Sequence, residues 1–401
     1  MNILFLTLSQ AISNINNRGI YPDLLRYFAQ QGHYVYIVCP FERRTKKATG
    51  LTANGNVHTL GVKILNITKS NAIEKGFGTI LIEYQYLQAI KKYFSDVHFE
   101  LVMYSTPPIT FNSVIRSIKD KYAAKSYLLL KDIFPQNAVD LGLFSKRSLF
   151  YWFFRKNEKT LYALSDYIGC MSPANVEFVL KHNPQIKKEH VEVCPNSIEL
   201  KTKQVFIDKK SILAKYRIPE NVPVFVYGGN LGKAQGIDFL IEILKSNFNR
   251  TDLFFLIVGN GTEYHKLDTW YNESKPDNAL ILPELLKEEY DQLIQACDVG
   301  MIFLDKRFTI PNYPSRLLSY LENKMPVLMA TDTNTDIGKI AEENGYGLWT
   351  ESGNIDKFNI LLSTLIESPY LRTNMGQKGY NFLLKNYTIK VSYNIIMSHF
   401  S

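Results

Sequence analysis

Short apolar runs alternate with helical patterns along most of the chain. The first two runs, residues 3–8 and 34–39, are separated by a helical pattern over residues 21–31. Unbroken apolar runs that alternate with helices are typical of parallel strands joined by crossover helices. On this basis we predict strands at residues 3–8, 34–39, 101–104, 126–130, 167–171, 224–227, 254–258, 279–282, 299–304 and 327–329.

The alternation stops in a polar stretch around residues 199–210 and then restarts. A chain of 401 residues has room for two domains with separate cores. We therefore predict an α/β fold with two Rossmann-like domains, residues 1–198 and 199–379, whose parallel sheets face each other across a cleft. Ligands of such sheets lie beyond the carboxyl ends of the strands, which here would be in the cleft.

The positive charge is confined to the first half of the chain. Residues 1–200 hold 24 Lys and Arg against 15 Asp and Glu (+9), whereas the remainder holds 22 against 23 (−1). A basic face favours an anionic partner, and a lipid surface fits better than nucleic acid, since no nucleic-acid-binding pattern is present. Segment 144–159 interleaves aromatic residues with five cations, as helices at membrane interfaces do, although the same aromatics could pack on a sheet.

The expected location follows from features of the chain as a whole. Its four cysteines are scattered singly, which is typical of core thiols in a reducing compartment and does not indicate a metal site. The apolar start is short and no basic residue precedes it, so we interpret it as a strand and not as a signal peptide. No stretch reaches the roughly 18 apolar residues of a membrane span. We expect a cytoplasmic protein, peripheral at the inner face of the plasma membrane.

Three segments of the second half suit a phosphate group. Segment 310–328 opens a helical run with a Pro/Asn/Ser turn, and Arg316 adds a planar guanidinium where the helix dipole favours an anion. An ordinary helix cap is the alternative interpretation. Glycine-rich turns at 227–236 and 259–261 each follow a predicted strand and would let the backbone approach a phosphate closely.

Taken in this order, the three segments resemble the donor half of the GT-B glycosyltransferases of family 4. Segment 310–328 is similar to that family's PSK-x-x-E-Y-L-x-x-G-x-P-V motif, which holds the diphosphate of a nucleotide-sugar. In the first half, segments 103–108, 129–142 and 194–198 resemble a strand-end loop, an R-D-x-W-P segment and a P-N-G-V/I turn. The second of these is characteristic of members that build bacterial capsule or O-antigen polysaccharide.

The resemblance implies a GT-B fold and a retaining, hexosyltransferase-like reaction that requires no metal or cofactor. It also implies that a helix at about 380–401 returns to complete the first domain. The expected donor is a nucleotide-sugar, UDP-linked, and the expected acceptor is a polyprenyl-diphosphate-linked glycan at an anionic membrane surface. Two alternatives stay open: a nucleotide-sugar 2-epimerase of the same fold, and a catalytically degenerate partner of another glycosyltransferase.

The family's motifs transfer residue by residue onto this chain. Asp132 and Arg316 are the predicted catalytic residues. Asp132 would orient or deprotonate the acceptor hydroxyl, unless it only holds the turn after it. The predicted acceptor residues are Asn17, Arg18, Gly19, Ser105 and Asp132. The predicted donor residues are Gly228, Gly229, Asn230, Lys233, Gln235, Gly259, Asn260, Gly261, Leu282, Tyr313, Pro314, Ser315, Arg316, Ser319 and Glu322.

The chain departs from the family at charged positions. The two family glutamates fall at Pro311 and Ser319, and Glu322 lies on the same predicted helix face as Ser319 and could replace the second one. The arginine and lysine of the family's glycine-rich turn correspond to Asn230 and Gln235. Arg316 is therefore expected to be the main cation at the phosphates, with Lys233 supplying part of the missing charge.

Overall fold

The computed structural model describes residues 1–66, 72–201 and 208–400, with the backbone alone for 72–80. The chain forms two compact units, one of Met1–Glu199 with Thr388–Ser401 and the other of Leu200–Tyr387. The first crossing between the units comes one residue after the predicted boundary at 198/199. The predicted linker at 199–210 lies partly outside the described residues.

The first unit is built on an eight-stranded sheet. Its strands are β1 (Asn2–Leu6), β2 (Tyr34–Glu42), β3 (Gly50–Asn54), β4 (Val57–Ile64), β5 (Leu101–Ser105), β6 (Lys125–Leu130), β7 (Tyr167–Cys170) and β8 (Val191–Val193). The order across the sheet is β3-β4-β2-β1-β5-β6-β7-β8, and only β3 and β4 pair antiparallel. β5 is buried along its whole length, as an inner strand of a parallel sheet is, which explains its unbroken apolar sequence.

Helices connect these strands. They are α1 (Ile20–Gln30), α2 (Ala72–Tyr93), α3 (Asn112–Tyr122), α4 (Gln136–Asp140), α5 (Leu149–Leu164) and α6 (Pro173–His182). α1 shows why such segments are helical: Leu24, Leu25 and Phe28 recur at helical spacing and are buried in the core with β1 and β2.

The second unit has a six-stranded, wholly parallel sheet in the order β11-β10-β9-β12-β13-β14. Its strands are β9 (Val224–Gly228), β10 (Phe254–Val258), β11 (Ala279–Leu282), β12 (Val299–Phe303), β13 (Val327–Thr331) and β14 (Gly347–Glu351). Its helices are α7 (Lys209–Lys215), α8 (Ile237–Ser246), α9 (Tyr264–Ser274), α10 (Lys287–Leu293), α11 (Arg316–Glu322), α12 (Ile337–Glu343), α13 (Ile355–Glu367) and α14 (Pro369–Asn386).

The chain returns to the first unit at Thr388 and not at about residue 380, where the return was expected. Residues 380–386 continue α14, whose Leu383 is fully buried in the second unit. After Thr388, helix α15 (Ile389–Met397) packs on α1, with Ile396 fully buried and Tyr393 in edge contact with Phe28 at 4.8 Å. A C-terminal helix therefore does complete the first unit, but it is shorter than expected.

Four strands were not predicted: β3, β4, β8 and β14. β3 and β4 form a hairpin whose two-residue turn is Gly55-Asn56, a dipeptide that favours tight hairpin turns and was a usable signal. β8 has only three residues and is partly exposed, so its sequence carries little apolar pattern.

In both sheets the strand order reverses at one point. The reversal lies between β1 and β5 in the first unit and between β9 and β12 in the second. Doubly wound sheets bind ligands outside the carboxyl ends of the strands at such a switch point. The segments that follow these four strands are therefore the places to look for a site, and they contain most of the predicted residues.

Candidate functional site

At the switch point of the second unit, the two predicted glycine turns lie against each other. The Gly229 amide donates to the carbonyl of Val258 at 2.9 Å, and the Leu231 amide donates to the carbonyl of Asn260 at 2.9 Å. A Cβ atom added at Gly259 would stand 1.9 Å from the carbonyl oxygen of Gly229, and one at Gly261 would stand 2.3 Å from the carbonyl group of Leu231. Only glycine permits this backbone packing at the two positions. The turn is also tied to the next strand, because the Gly259 amide donates to the carbonyl of Leu282 at 3.0 Å.

Arg316 is the first residue of α11, and its guanidinium reaches the turn after β9. The Cζ atom lies 4.1 Å from the centre of the Tyr227 ring, and Nη2 donates to Oε1 of Gln235 at 2.8 Å. A Cβ atom at Gly229 would lie 3.6 Å from Nη2, so the guanidinium stands directly beside this turn. The predicted juxtaposition of Arg316 with the glycine turn is therefore present in the structure.

One nitrogen of this guanidinium has no partner. Nη1 of Arg316 is shielded from solvent and makes no hydrogen bond to any described residue. Buried donors are nearly always paired in folded proteins, and a buried donor on a charged group is the most costly to leave unpaired. A donor left unpaired beside a glycine turn is what a binding site for an anion looks like before the anion binds.

Tyr227 and Tyr320 fix this arrangement, and neither was in the predicted set. The Tyr227 hydroxyl donates to the carbonyl of Asn230 at 2.7 Å, and burial raises the pKa of Tyr227 although Arg316 opposes this shift. The Tyr320 hydroxyl accepts from the Gly228 amide and donates to the carbonyl of Met301, both at 3.2 Å, so it bridges β9 and β12. The spacing of Tyr320 four residues after Arg316 was the available signal.

The departures from the family motif have structural roles of their own. Gln235 holds Arg316 through its side chain, whereas Asn230 contributes its carbonyl oxygen to the Tyr227 hydroxyl. The Asn230 and Lys233 side chains are exposed at the rim of the turn, as are Asn260 and Gly261 on the neighbouring turn.

The turn before α11 is also as expected in position but not in every contact. Ser315 has helical dihedral angles and makes no side-chain cap, Pro314 precedes it partly buried, and Ser319 is partly buried one turn later. The Tyr313 hydroxyl pairs with that of Tyr387 at 2.6 Å, so its polar end is engaged inside the unit.

Glu322, the residue expected to replace a family glutamate, is paired with Lys201 inside the second unit. Its Oε1 accepts from the Lys201 amide at 3.1 Å, and its Oε2 lies 3.9 Å from Lys201 Nζ. The carboxylate is buried and faces the segment that enters the second unit. These contacts engage both oxygens with Lys201; a role of Glu322 toward the donor stays a prediction.

In the first unit, Asp132 lies just beyond β6 at the expected sheet edge. Its Oδ2 accepts from Asn137 Nδ2 at 2.7 Å, while the Thr106 hydroxyl accepts from the Asp132 amide and donates to its carbonyl at 3.2 and 2.9 Å. Burial raises the pKa of Asp132, and bonds to the Ile133 amide and to Asn137 offset only part of that shift. These contacts show that Asp132 holds the turn after it; a role toward the acceptor stays a prediction.

The other predicted acceptor residues are engaged within the unit. Ser105 ends β5 and is fully buried. Arg18 Nη2 donates to the carbonyl of Glu199 at 2.8 Å, Asn17 Nδ2 donates to that of Ala11 at 3.0 Å, and the Gly19 amide donates to a buried Asp23 carboxylate at 3.0 Å. The predicted phosphate-facing loop is therefore held by internal contacts in this structure.

A charged cluster that the sequence did not reveal fixes the same loop. Asp23 is fully buried and accepts from the Glu199 amide at 3.0 Å, and Arg26 Nη2 bridges Asp23 at 2.7 Å and Glu199 at 2.8 Å. The cluster joins α1 to the last residue of the first unit's main segment. Asp23 and Glu199 are 176 residues apart in the sequence, so no local sequence pattern indicates the cluster.

Within the described residues, no group of three or more His, Cys, Asp or Glu side chains is placed to hold a metal ion. A search of the same part of the chain for a helix long and apolar enough to cross a bilayer finds none.

Comparisons with known proteins agree with this geometry. Sucrose-phosphate synthase from Thermosynechococcus elongatus superposes with a TM-score of 0.79 at 14% identity, covering 100% of this chain and 98% of that one. HepE from Anabaena, solved in complex with UDP, superposes with a TM-score of 0.70 at 14% identity, covering 100% and 99%. Two Rossmann-like units, together with these neighbours, define a fold of the GT-B class.

The sequence comparisons then match part of the chain to a known family. Residues 208–382 match the model of the family described as glycosyl transferases group 1. A relative in Pseudomonas aeruginosa, named as the probable glycosyltransferase WbjE, is 23% identical over 250 residues, which are 62% of this chain and 61% of that protein. The second unit therefore matches the group 1 glycosyltransferase family, and the chain as a whole has the GT-B fold, as the sequence motifs predicted.

Proposed function

We propose that this protein transfers a sugar from a UDP-sugar to a lipid-carried glycan, with retention at the anomeric carbon, during surface polysaccharide assembly. The observation that carries the donor half is the buried, unpaired Nη1 of Arg316 beside Gly229. A diphosphate placed there would supply the missing acceptor.

The chemistry needs little beyond positioned charge. The nucleoside diphosphate leaves as the bond to the anomeric carbon breaks, and its growing negative charge is taken up by the Arg316 guanidinium at the glycine turn. Donors that are fixed before the reaction stabilise such charge without reorganisation. Tyr227 and Gln235 hold the Arg316 guanidinium in place from two sides. In a retaining reaction the acceptor hydroxyl can pass its proton to the departing phosphate on the same face, with Asp132 orienting that hydroxyl.

Support for the nucleotide comes from solved neighbours, among them HepE in complex with UDP and an Escherichia coli trehalose-6-phosphate protein bound with UDP-2-fluoro glucose. Support for the acceptor comes from WaaG, described as a glycosyltransferase involved in lipopolysaccharide biosynthesis (TM-score 0.67, 12% identity), and from the basic first half of this chain. A peripheral position at the inner face of the plasma membrane belongs to the same proposal, since a polyprenyl-linked acceptor is held in a bilayer.

Thermal unfolding with UDP, ADP and GDP tests the donor assignment. A nucleotide at about 100 times its dissociation constant stabilises the folded protein by roughly 2.7 kcal/mol, so UDP should raise the melting temperature clearly and the others less. Arg316→Ala should abolish this shift. Arg250→Ala, in the same unit but paired with Asp252 at the surface, is the matched control and should keep it.

Transfer is then measured with UDP-sugars and a polyprenyl-diphosphate-linked saccharide, and the anomeric configuration of the product is read by NMR. Epimerisation of the donor sugar without transfer would favour the 2-epimerase. Absence of any nucleotide binding would favour a degenerate partner subunit. Either result rejects the proposed transfer.

A further inference from the structure

We propose that the first unit docks on an anionic phospholipid bilayer through the exposed side of α5, the turn before it and Arg116 of α3. We call this surface the α5 face. Its apolar members are Leu143, Leu149, Phe150, Trp152 and Phe153, and its cations are Arg116, Lys146, Arg147, Lys156 and Lys159. This inference rests on the proposed function, because a protein that acts on a lipid-carried acceptor has to meet that acceptor at a bilayer.

The apolar members are unusually exposed. Leu149 is 88% exposed and Trp152 is 64% exposed. Of the fifteen large apolar or tyrosine side chains exposed in the described part of the chain, five lie within residues 143–153. Scattered apolar side chains are normal on a protein surface, but a cluster of this size marks an interaction site.

The same helix meets the needs of the core with other residues. Leu161 and Tyr162 are buried, and Phe154 packs on Phe134 with ring centres 4.9 Å apart. The exposed aromatics are therefore not required by the fold. The sequence left two interpretations of segment 144–159 open, and the structure shows that each applies to a different face.

The five cations of the α5 face are not paired in salt bridges within the part of the chain that the structure describes. Arg116 of α3 joins Lys156, Lys159 and Trp152 in lining an open groove of about 520 Å³. Lipid phosphates are the complementary charge, and long Lys and Arg side chains can lie along apolar surface while their charged ends reach the phosphates.

Arg155 is the exception among the cations of the segment. It donates to Glu158 at 2.5 Å, to the His182 carbonyl at 2.8 Å and to Asn183 Oδ1 at 2.8 Å. Arg155 also lines the groove, but its charge is paired with Glu158 inside the unit, so we do not count it among the cations available to a lipid phosphate.

The combination of an apolar centre with cations around it favours a bilayer over other partners. An amphipathic helix at an interface buries its aromatics at the level of the headgroups while its cations meet phosphate. A second copy of this chain would bring the same cations against each other in a two-fold contact, which repels. An acidic protein is the remaining occupant, and the experiment below separates it from the bilayer.

Binding is measured by co-sedimentation with vesicles of phosphatidylcholine alone and of phosphatidylcholine mixed with phosphatidylglycerol, at low and high salt. The charge variant is K146Q/R147Q/K156Q/K159Q, and the apolar variant is L149S/F150S/W152S/F153S. The matched control is L286S/I360S/Y370S, which removes three comparably exposed apolar side chains from the second unit.

We expect the wild type to bind the anionic vesicles. The charge variant should bind about fivefold more weakly per cation removed. The apolar variant should bind about 30-fold more weakly and lose its remaining binding at high salt, because only the electrostatic part would be left. The control should bind as the wild type does.

Tryptophan fluorescence gives a second measurement of insertion. Anionic vesicles should shift the emission to shorter wavelength, and Trp152→Phe should bind almost equally well but lose the shift, since Trp270 and Trp349 lie outside the α5 face. Equal vesicle binding by the wild type and the apolar variant would overturn the proposal. Failure of the wild type to bind anionic vesicles would overturn it too, whether or not the α5 face captures an acidic protein or a second copy. The UDP-induced melting shift of the same variants reports the donor site separately, so failure of one assignment does not imply failure of the other.

Discussion

Replacing Arg316 by Ala is the most informative single change in this protein. It removes the guanidinium that stacks on Tyr227, the bond to Gln235 and the unpaired Nη1 in one step. The first two contacts belong to the free protein. Nη1 is the atom that the proposed donor diphosphate would engage.

The expected effect on transfer follows from that distinction. A hydrogen bond to a charged group contributes about 1.5–3 kcal/mol, and a contact that strengthens as the diphosphate leaves acts on the transition state. We expect kcat/KM to fall by roughly 100-fold, which corresponds to about 2.7 kcal/mol. Arg316→Lys should recover only part of this, because an ammonium lacks the planar fork.

The expected effect on stability is small because opposing contributions offset each other. Stacking on Tyr227 stabilises by about 0.5–2 kcal/mol and the Gln235 bond by about 1 kcal/mol. Against them stands a buried unpaired donor, which costs about 1–3 kcal/mol. Removing all three should change the melting temperature by no more than about 4 °C.

Initial transfer rates and melting temperatures are measured on the wild type, both Arg316 variants and the Arg250→Ala control. If Arg316 had only a structural role at the start of α11, Arg316→Ala would instead show near-normal turnover and lowered stability. Normal kcat/KM in Arg316→Ala would refute the donor-site assignment.

Three further changes test other parts of the structure. Gly259→Ala should separate the two glycine turns, destabilising the protein by about 2 kcal/mol or more and abolishing the UDP-induced melting shift, because its Cβ would collide with the Gly229 carbonyl. Asp132→Asn should raise the melting temperature near neutral pH but not at acidic pH. Burial raises the pKa of Asp132, so the folding stability of the wild type falls as the pH rises from the unfolded-state pKa through the folded-state pKa. The amide of Asn does not ionise, so the variant avoids this loss. Asp23→Ala should destabilise by about 3–5 kcal/mol, since it leaves Arg26 without its buried partner.

Each of these changes has its own control, read by thermal and denaturant unfolding. Gly50→Ala adds a methyl where nothing lies closer than 4.0 Å and should be nearly neutral. Asp96→Asn, at an exposed position, should show no pH-dependent gain. For Asp23, the double variant with Arg26→Ala should cost clearly less than the sum of the two single variants. Additive costs there, a tolerated Gly259→Ala, or an Asp132→Asn variant stabilised equally at all pH values would each contradict the structural argument.

The architecture was predictable from the sequence because a parallel strand that is buried on both faces has an unbroken run of apolar residues. β5 and β10 are fully buried along their length and were predicted within one residue of their bounds. Strands with weaker burial were missed, as the exposed β3 shows. Burial alone does not decide whether a strand is recognised, however, since β4 is mostly buried and was also missed.

The approximate positions of the site residues were also predictable from the sequence, but their hydrogen-bond and ion-pair partners were not. Arg316 was placed beside the glycine turn from motif order alone, yet its bond to Gln235 spans 81 residues. Glu322 was predicted from its helix face, and helical spacing could not reveal that its carboxylate accepts from the Lys201 amide. Arg18 was expected to face a phosphate, and its guanidinium donates to the carbonyl of Glu199. In each case the deciding neighbour comes from a distant part of the chain.

The departures at the glycine turn become intelligible only with those neighbours in place. Gln235 Oε1 lies 2.8 Å from the Arg316 guanidinium, at the position where the resembling family carries a lysine. Two like charges about 4 Å apart near a protein surface repel by roughly 4 kcal/mol, so a lysine at 235 would push Arg316 off the Tyr227 ring. A neutral amide that accepts from Arg316 removes this conflict and fixes one guanidinium over the turn. Gln235 therefore lets Arg316 lie over the turn without a second cation beside it, at the position where the resembling motif itself carries a lysine.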